Sequence, residues 1–198
     1  MPRLTSASLM VVVAAAVFAS QAQEQATSAN GVIAAELLGP CEEFGQDCIY
    51  PDRGVIVVRP DGGGAHLLPV PLSFHAPTFS GDGRHLAFFG NRIADDIEDT
   101  REVAVTNADG TGRRWVSGRG STSDVGAFDW SPTGHTLVYA RYGPGTSPSQ
   151  LVRVDANGGS RLRLGFGESP FWSPDGRLIA YTRGTGTGGN HGPTRIMV

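Results

Sequence analysis

Lysine is absent from the 198-residue chain, so all 16 of its Lys/Arg positions are arginine. Those arginines are scattered and the net charge is −3. No basic face is available for nucleic-acid phosphates, and none is expected as a partner. Charged residues make up only 18%. Cysteine occurs twice, at Cys41 and Cys48, around the segment CEEFGQDC. That segment holds no histidine, which leaves it short of the four ligands a zinc site needs. No Gly-x-Ser-x-Gly sequence occurs, so a nucleophile elbow is missing. The longest apolar run, Leu9–Ala19, is too short to span a bilayer comfortably.

What is abundant is turn chemistry. Glycine reaches 28 and proline 13, a profile of short strands joined by tight turns rather than of helices. Residues 1–22 read as a secretory signal. Arg3 supplies the positive end, Leu9–Ala19 the apolar stretch, and Ser20-Gln21-Ala22 the small residues for cleavage. An uncleaved anchor is the alternative. Residues 23–30 then form a short linker. Export to an oxidising compartment permits a disulfide between Cys41 and Cys48.

Three segments share one pattern. They are Ala76–Gly90 (APTFSGDGRHLAFFG), Ala127–Arg141 (AFDWSPTGHTLVYAR) and Ser169–Arg183 (SPFWSPDGRLIAYTR). Each places an aromatic (Phe79, Trp130, Trp172) before a serine, with a glycine three residues on (Gly83, Gly134, Gly176). An alternating apolar strand follows. A second motif interleaves: a β-branched run, then Asp61-Gly, Asp109-Gly or Asn157-Gly, then another short strand. The unit is a four-stranded meander repeated every 40–50 residues or so, the length and strand count of a propeller blade. In the last copy Pro174 fixes φ, Asp175 can bond nearby backbone, and Gly176 takes the left-handed conformation. The bulky aromatics are expected to fill the wedge between neighbouring blades, because one blade cannot bury both its faces.

The run Trp172-Ser173-Pro174-Asp175-Gly176-Arg177, continued by Ile179-Ala180-Tyr181, resembles the TolB-like β-propeller repeat, a WD40-like family with a Pro-Asp signature. The first copy departs from it with Gly81 in place of proline, the second with Thr133 in place of aspartate. The resemblance covers residues 31–198 and implies an all-β fold of four-stranded antiparallel blades. Three to four blades are expected, at about 31–72, 73–120, 124–165 and 166–198. The family's ring has six blades or more, so the chain reads as a partial propeller, a fragment or an open array, the alternative being a small ring closed by N-terminal strands lent to the last blade. Open edge strands then predict self-association. The resemblance implies a periplasmic or secreted scaffold that binds another envelope protein. The alternative is a propeller lyase or hydrolase, or the non-catalytic propeller portion of a peptidase.

No catalytic, cofactor or metal residue is assigned. Gly184–Gly189 (GTGTGG) fits a Gly-x-Gly-x-x-Gly pattern, but no helix pattern follows it, so it reads as a loop. The five histidines are scattered; His135 takes the post-turn place that Arg84 and Arg177 hold in the other copies. Asp82 and Asp175 sit where the turn wants aspartate. The connections between second and third strands are acidic in two units. Glu42 and Glu43 lie in one, and Asp95, Asp96, Glu98 and Asp99 in the other. A propeller would place both on one face, as a rim for a basic partner or simply as a solvated surface.

Overall fold

The computed structural model describes residues 31–38, 42–44, 47–49, 52–70, 75–91, 101–118, 124–142, 148–184 and 194–198, and among them there is no helix. The strands form four successive antiparallel sheets. Sheet I contains β1 (Ile33–Leu38), β4 (Asp52–Val58) and β5 (His66–Leu67). A small hairpin, β2 (Glu42–Phe44) with β3 (Asp47–Ile49), lies between β1 and β4 in sequence. Sheet II is the meander β6 (His75–Phe79), β7 (His85–Asn91), β8 (Arg101–Asn107) and β9 (Arg114–Trp115). Sheet III repeats it with β10 (Val125–Trp130), β11 (Thr136–Arg141), β12 (Gln150–Asp155) and β13 (Leu162–Phe166). Sheet IV has β14 (Glu168–Trp172), β15 (Ile179–Gly184) and β16 (Thr194–Met197).

The first turn of each meander works through its serine. Gly83, Gly134 and Gly176 close it by donating N–H to the carbonyls of Ser80, Ser131 and Ser173. All three glycines have φ near +70° (68°, 73° and 69°), where a side chain is strained. Ser80 Oγ accepts the N–H of His85 at 3.0 Å and donates to Asp82 Oδ1 at 2.6 Å. Ser173 does the same with Leu178 (2.9 Å) and Asp175 (2.6 Å). The aspartate in turn accepts the N–H two residues on, from Arg84 or Arg177. These bonds hold the Asp175 carboxyl below its ordinary range, the Ser173 hydroxyl foremost. The Asp-Gly turns are built alike, with Asp61, Asp109 and Asn157 accepting the N–H two residues on. They are wider than the two-residue hairpin that Asp-Gly signals: the innermost pair of β4 and β5 is Val57 with His66.

Two-residue alternation splits every strand between two neighbours. In sheet II, Leu86, Phe88 and Ala104 pack back onto Ala34, Val55 and Val57 of sheet I. Ala87, Val103 and Val105 pack forward with Trp130, Leu137 and Tyr139 of sheet III. Each sheet thus has a trailing face toward the sheet before it and a leading face toward the sheet after it. Sheet III repeats the division. Its leading side chains Val138, Ala140 and Leu151 are buried, on the side from which Asp129 of β10 reaches sheet IV. The aromatics that open the turns lie on trailing faces. Phe79 and Trp130 are buried there, whereas Trp172 on the last sheet is half-buried.

Candidate interaction surface

An antiparallel meander sends its connections to opposite ends. The Ser-x-x-Gly and Asp-Gly turns all fall at one end of the stack, and the longer connections leave from the other. The turn end is interlocked. A Cβ on Gly81 would overlap the Pro132 carbonyl oxygen, and one on Gly134 would come within 2.7 Å of Asp82 Oδ1. A Cβ on Gly110 would meet Pro69 Cδ at 2.7 Å. Main-chain bonds from Ala108 to Arg84 and from Ala156 to His135 tie the turns within each sheet. His85 sits in this packing, stacked on Trp130 with centroids 6.3 Å apart, and burial followed by the Arg114 charge lowers its pKa. It is a packed side chain at a joint between sheets.

The loop end is built differently. Arg101, immediately after the acidic connection 92–100, opens β8, and Asp124 precedes β10 in the next sheet. Asp124 Oδ1 accepts the Arg101 main-chain N–H at 2.9 Å, and Asp124 Oδ2 accepts Nη2 at 3.1 Å. The guanidinium also lies 5.8 Å from the Phe89 ring centroid. Phe89 meets Phe128 of sheet III edge to face at 4.8 Å. Deeper in the same joint Tyr139 donates to the Ser117 carbonyl at 3.0 Å, and Ser117 Oγ accepts the Val103 N–H. Sheets II and III therefore present one continuous rim of Arg101, Asp124, Phe89 and Phe128. Sequence reasoning missed this pair of charges; the only signal was an arginine and an aspartate each standing at the head of an apolar strand.

Glu42 and Glu43 form part of β2, with Glu43 paired to Cys48 of β3. That hairpin lies between β1 and β4, as the connection 92–100 lies between β7 and β8, and both connections leave the same end of their sheets. Asp95, Asp96, Glu98 and Asp99 lie outside the described residues, as do Cys41 and the segment read as an export signal. The bridge from Cys41 to Cys48 is therefore not placed. Among the described residues no group of three or more His, Cys, Asp or Glu is placed to hold a metal ion.

One half-buried carboxylate escaped the sequence reading. Asp129 Oδ2 accepts the Trp172 N–H at 2.7 Å across the joint between sheets III and IV. Burial raises its pKa above the ordinary 3.8, against the bonds from Trp172 and Trp130 that lower it. A carboxyl with a raised native pKa contributes its full stability below the unfolded value and loses it as pH rises through the native one. Asp129→Asn keeps an acceptor for Trp172 and removes the charge. The variant is expected to equal or exceed the native chain in urea midpoint at pH 7. Any gain should shrink toward pH 3. A variant weakened equally at both pH values would instead assign Asp129 a purely geometric role.

No family model matches the chain, and no curated protein does. Solved structures do. The fold is that of a partial β-propeller. TolB from Acinetobacter baumannii is similar over 84% of this chain and 38% of its own, with 17% identity and a TM-score of 0.57. An oligogalacturonate lyase from Vibrio parahaemolyticus is similar over 65% of this chain and 35% of its own, with 16% identity and a TM-score of 0.51. A puromycin-hydrolyzing peptidase of Mycobacterium tuberculosis is similar over 78% and 28%, with 20% identity and a TM-score of 0.52. The chain spans little more than a third of the length of TolB and of the lyase. At these identities the likeness establishes a TolB-like propeller fold, shared by proteins of different activities.

Proposed function

We propose that the chain is an exported, TolB-like propeller scaffold that binds a basic segment of another cell-envelope protein at its loop end. The observation that carries this reading is the asymmetry of the two ends. Interlocked turns fill one end, where added atoms meet backbone or neighbouring side chains. The other end, where β7 stops and β8 begins, carries the Arg101–Asp124 and Phe89–Phe128 contacts, and the acidic run 95–99 falls between those two strands in sequence. Loops on a rigid sheet scaffold are where binding residues concentrate. Like charges brought together there repel, and a cationic partner would relieve that repulsion. Similarity to TolB supports a periplasmic or secreted location.

Replacing Asp95, Asp96, Glu98 and Asp99 with Asn or Gln tests the acidic rim. Partner capture from an envelope fraction at low salt should fall at least tenfold. Capture by the native chain should weaken as salt approaches 0.5 M, because the Debye length is only about 3 Å at 1 M. Undiminished capture by the substituted chain would leave these loops as solvated surface. The similarity to a lyase and a peptidase favours a second reading, the propeller portion of an enzyme. A reading frame continuing past Val198 into a Gly-x-Ser-x-Gly domain would decide for the peptidase.

A further inference from the structure

The second turn of the meander uses aspartate in sheets I and II (Asp61, Asp109) but asparagine in sheet III (Asn157). The difference brings a chemistry with it. Once deprotonated, the nitrogen of a glycine that follows asparagine can attack the asparagine Cγ, since glycine has no side chain to hinder the approach. Ammonia leaves and a succinimide ring forms. Water then opens the ring at either carbonyl, giving aspartate or isoaspartate. One water enters and one ammonia leaves, with no oxidant or metal. Asn-Gly occurs twice in the sequence, at Asn30-Gly31 and Asn157-Gly158, and Asn30 lies outside the described residues.

Asn157 is exposed to water, yet the folded turn opposes each step of the attack. The Gly158 N–H donates to the Asp155 carbonyl at 2.8 Å, so the proton that must leave is held. Asn157 Oδ1 accepts the Gly159 N–H at 3.0 Å, which ties the carboxamide to the next nitrogen and not to the reacting one. Gly158 sits at φ +82°, and a Cβ there would lie 3.3 Å from the Trp115 carbonyl oxygen, so the turn rests on sheet II. Arg114 of sheet II reaches across and donates Nε to the Ala156 carbonyl at 2.7 Å. The Ala156 N–H in turn donates to the His135 carbonyl. The residues on both sides of the reacting bond are thus fixed, by the turn itself and by the neighbouring sheet.

We propose that Asn157 is a deamidation site gated by the fold: its amide survives while the turn is closed and is lost when the turn opens. The two products differ in consequence. Aspartate can accept the N–H two residues on, as Asp61 and Asp109 do, so the turn closes again. Asp155 stands where those turns have Arg59 and Asn107. The charge added beside it is solvent-exposed, where such interactions are weak. Isoaspartate lengthens the main chain by one carbon, so the Gly158 N–H no longer meets the Asp155 carbonyl. The Arg114 clamp from sheet II then loses its geometry. An episode of unfolding leaves a covalent mark on the joint between sheets II and III. The site lies at the turn end and does not rest on the envelope-partner reading.

The test incubates the full chain at neutral pH, native and unfolded in urea. Peptide mass spectrometry follows Asn157, and isoaspartate methyltransferase labelling identifies the rearranged product. In urea Asn30 and Asn157, both preceded by alanine, should deamidate at similar rates. In the native chain Asn157 should be lost at least about tenfold more slowly than in urea, because reaction runs through local opening of the turn. Arg114→Met removes the clamp without touching the reacting bond and should raise the native rate several-fold, with circular dichroism confirming the fold. Should Arg114→Met fail to fold, sub-denaturing urea replaces it, and the rate should climb with urea. After refolding, isoaspartate material should melt below the Asn157→Asp variant, which should melt close to the native chain. Loss of Asn157 from the native chain at the unfolded rate would overturn the proposal. So would a folded Arg114→Met chain that keeps the native rate, a rate that does not respond to urea, or isoaspartate material that melts with the native chain.

Discussion

Trp130→Ala is expected to destabilise the chain by about 3–5 kcal/mol, the usual range for deleting a large core aromatic. The indole is 6% exposed and lies in the cluster shared by sheets II and III. Its Nε1 donates to the Thr78 carbonyl at 3.1 Å, so truncation also removes the acceptor's partner. The ring stacks against His85, itself already penalised for carrying charge in that site. Trp172 holds the same place in its repeat, and from sequence the same loss is expected there. Its surroundings differ. It is half-buried on the last sheet, and among the described residues its Nε1 has no acceptor. Trp172→Ala should therefore cost clearly less than Trp130→Ala. Urea unfolding of both variants checks the order; equal losses would show that sheet IV is as tightly packed as sheet III.

Restoring the family residue at position 81 should also be harmful. Proline stands there in the other two copies (Pro132, Pro174), so a consensus argument makes Gly81→Pro a stabilising change. The packing says otherwise. Any Cβ at Gly81 overlaps the carbonyl oxygen of Pro132, a backbone atom in the adjacent turn that cannot swing aside. The two turns would have to separate, straining the joint that places Trp130 against Thr78. A loss of about 1–3 kcal/mol is expected for Gly81→Pro and for Gly81→Ala alike, as for other overpacked sites. The measurement is the shift in urea midpoint at constant slope. A gain in stability for either variant would mean that the turns are not in contact.

The strands and turns were legible because their causes are local. A serine three residues before a glycine, and an aspartate before a glycine, bring their own hydrogen-bond partners within five residues. Two-residue alternation then marks each strand. The joints were not legible, because their partners are about 20 to 50 residues away. Asp124 meets Arg101 from the next sheet, and Asp129 meets Trp172. Gly81 reads as a lapse in the repeat until Pro132 is seen above it. The acidic connections were readable as composition, yet a charge run carries no periodicity from which its conformation follows. The hairpin β2–β3 shows this: nothing in CEEFGQDC distinguishes it from an irregular loop.

The fixed sense of leading and trailing faces bears on how such a chain can change in length. Excising one whole unit, such as residues 73–120, would bring the trailing face of sheet III against the leading face of sheet I. Both are apolar, with Leu137, Tyr139 and Val152 on one side and Ala34, Val55 and Val57 on the other. A cut of half a unit would instead strand a two-stranded piece with its Ser-x-x-Gly turn but no second turn to lock it. The molecule is thus modular in whole sheets only, and gain or loss of material by recombination is tolerated in steps of one complete meander.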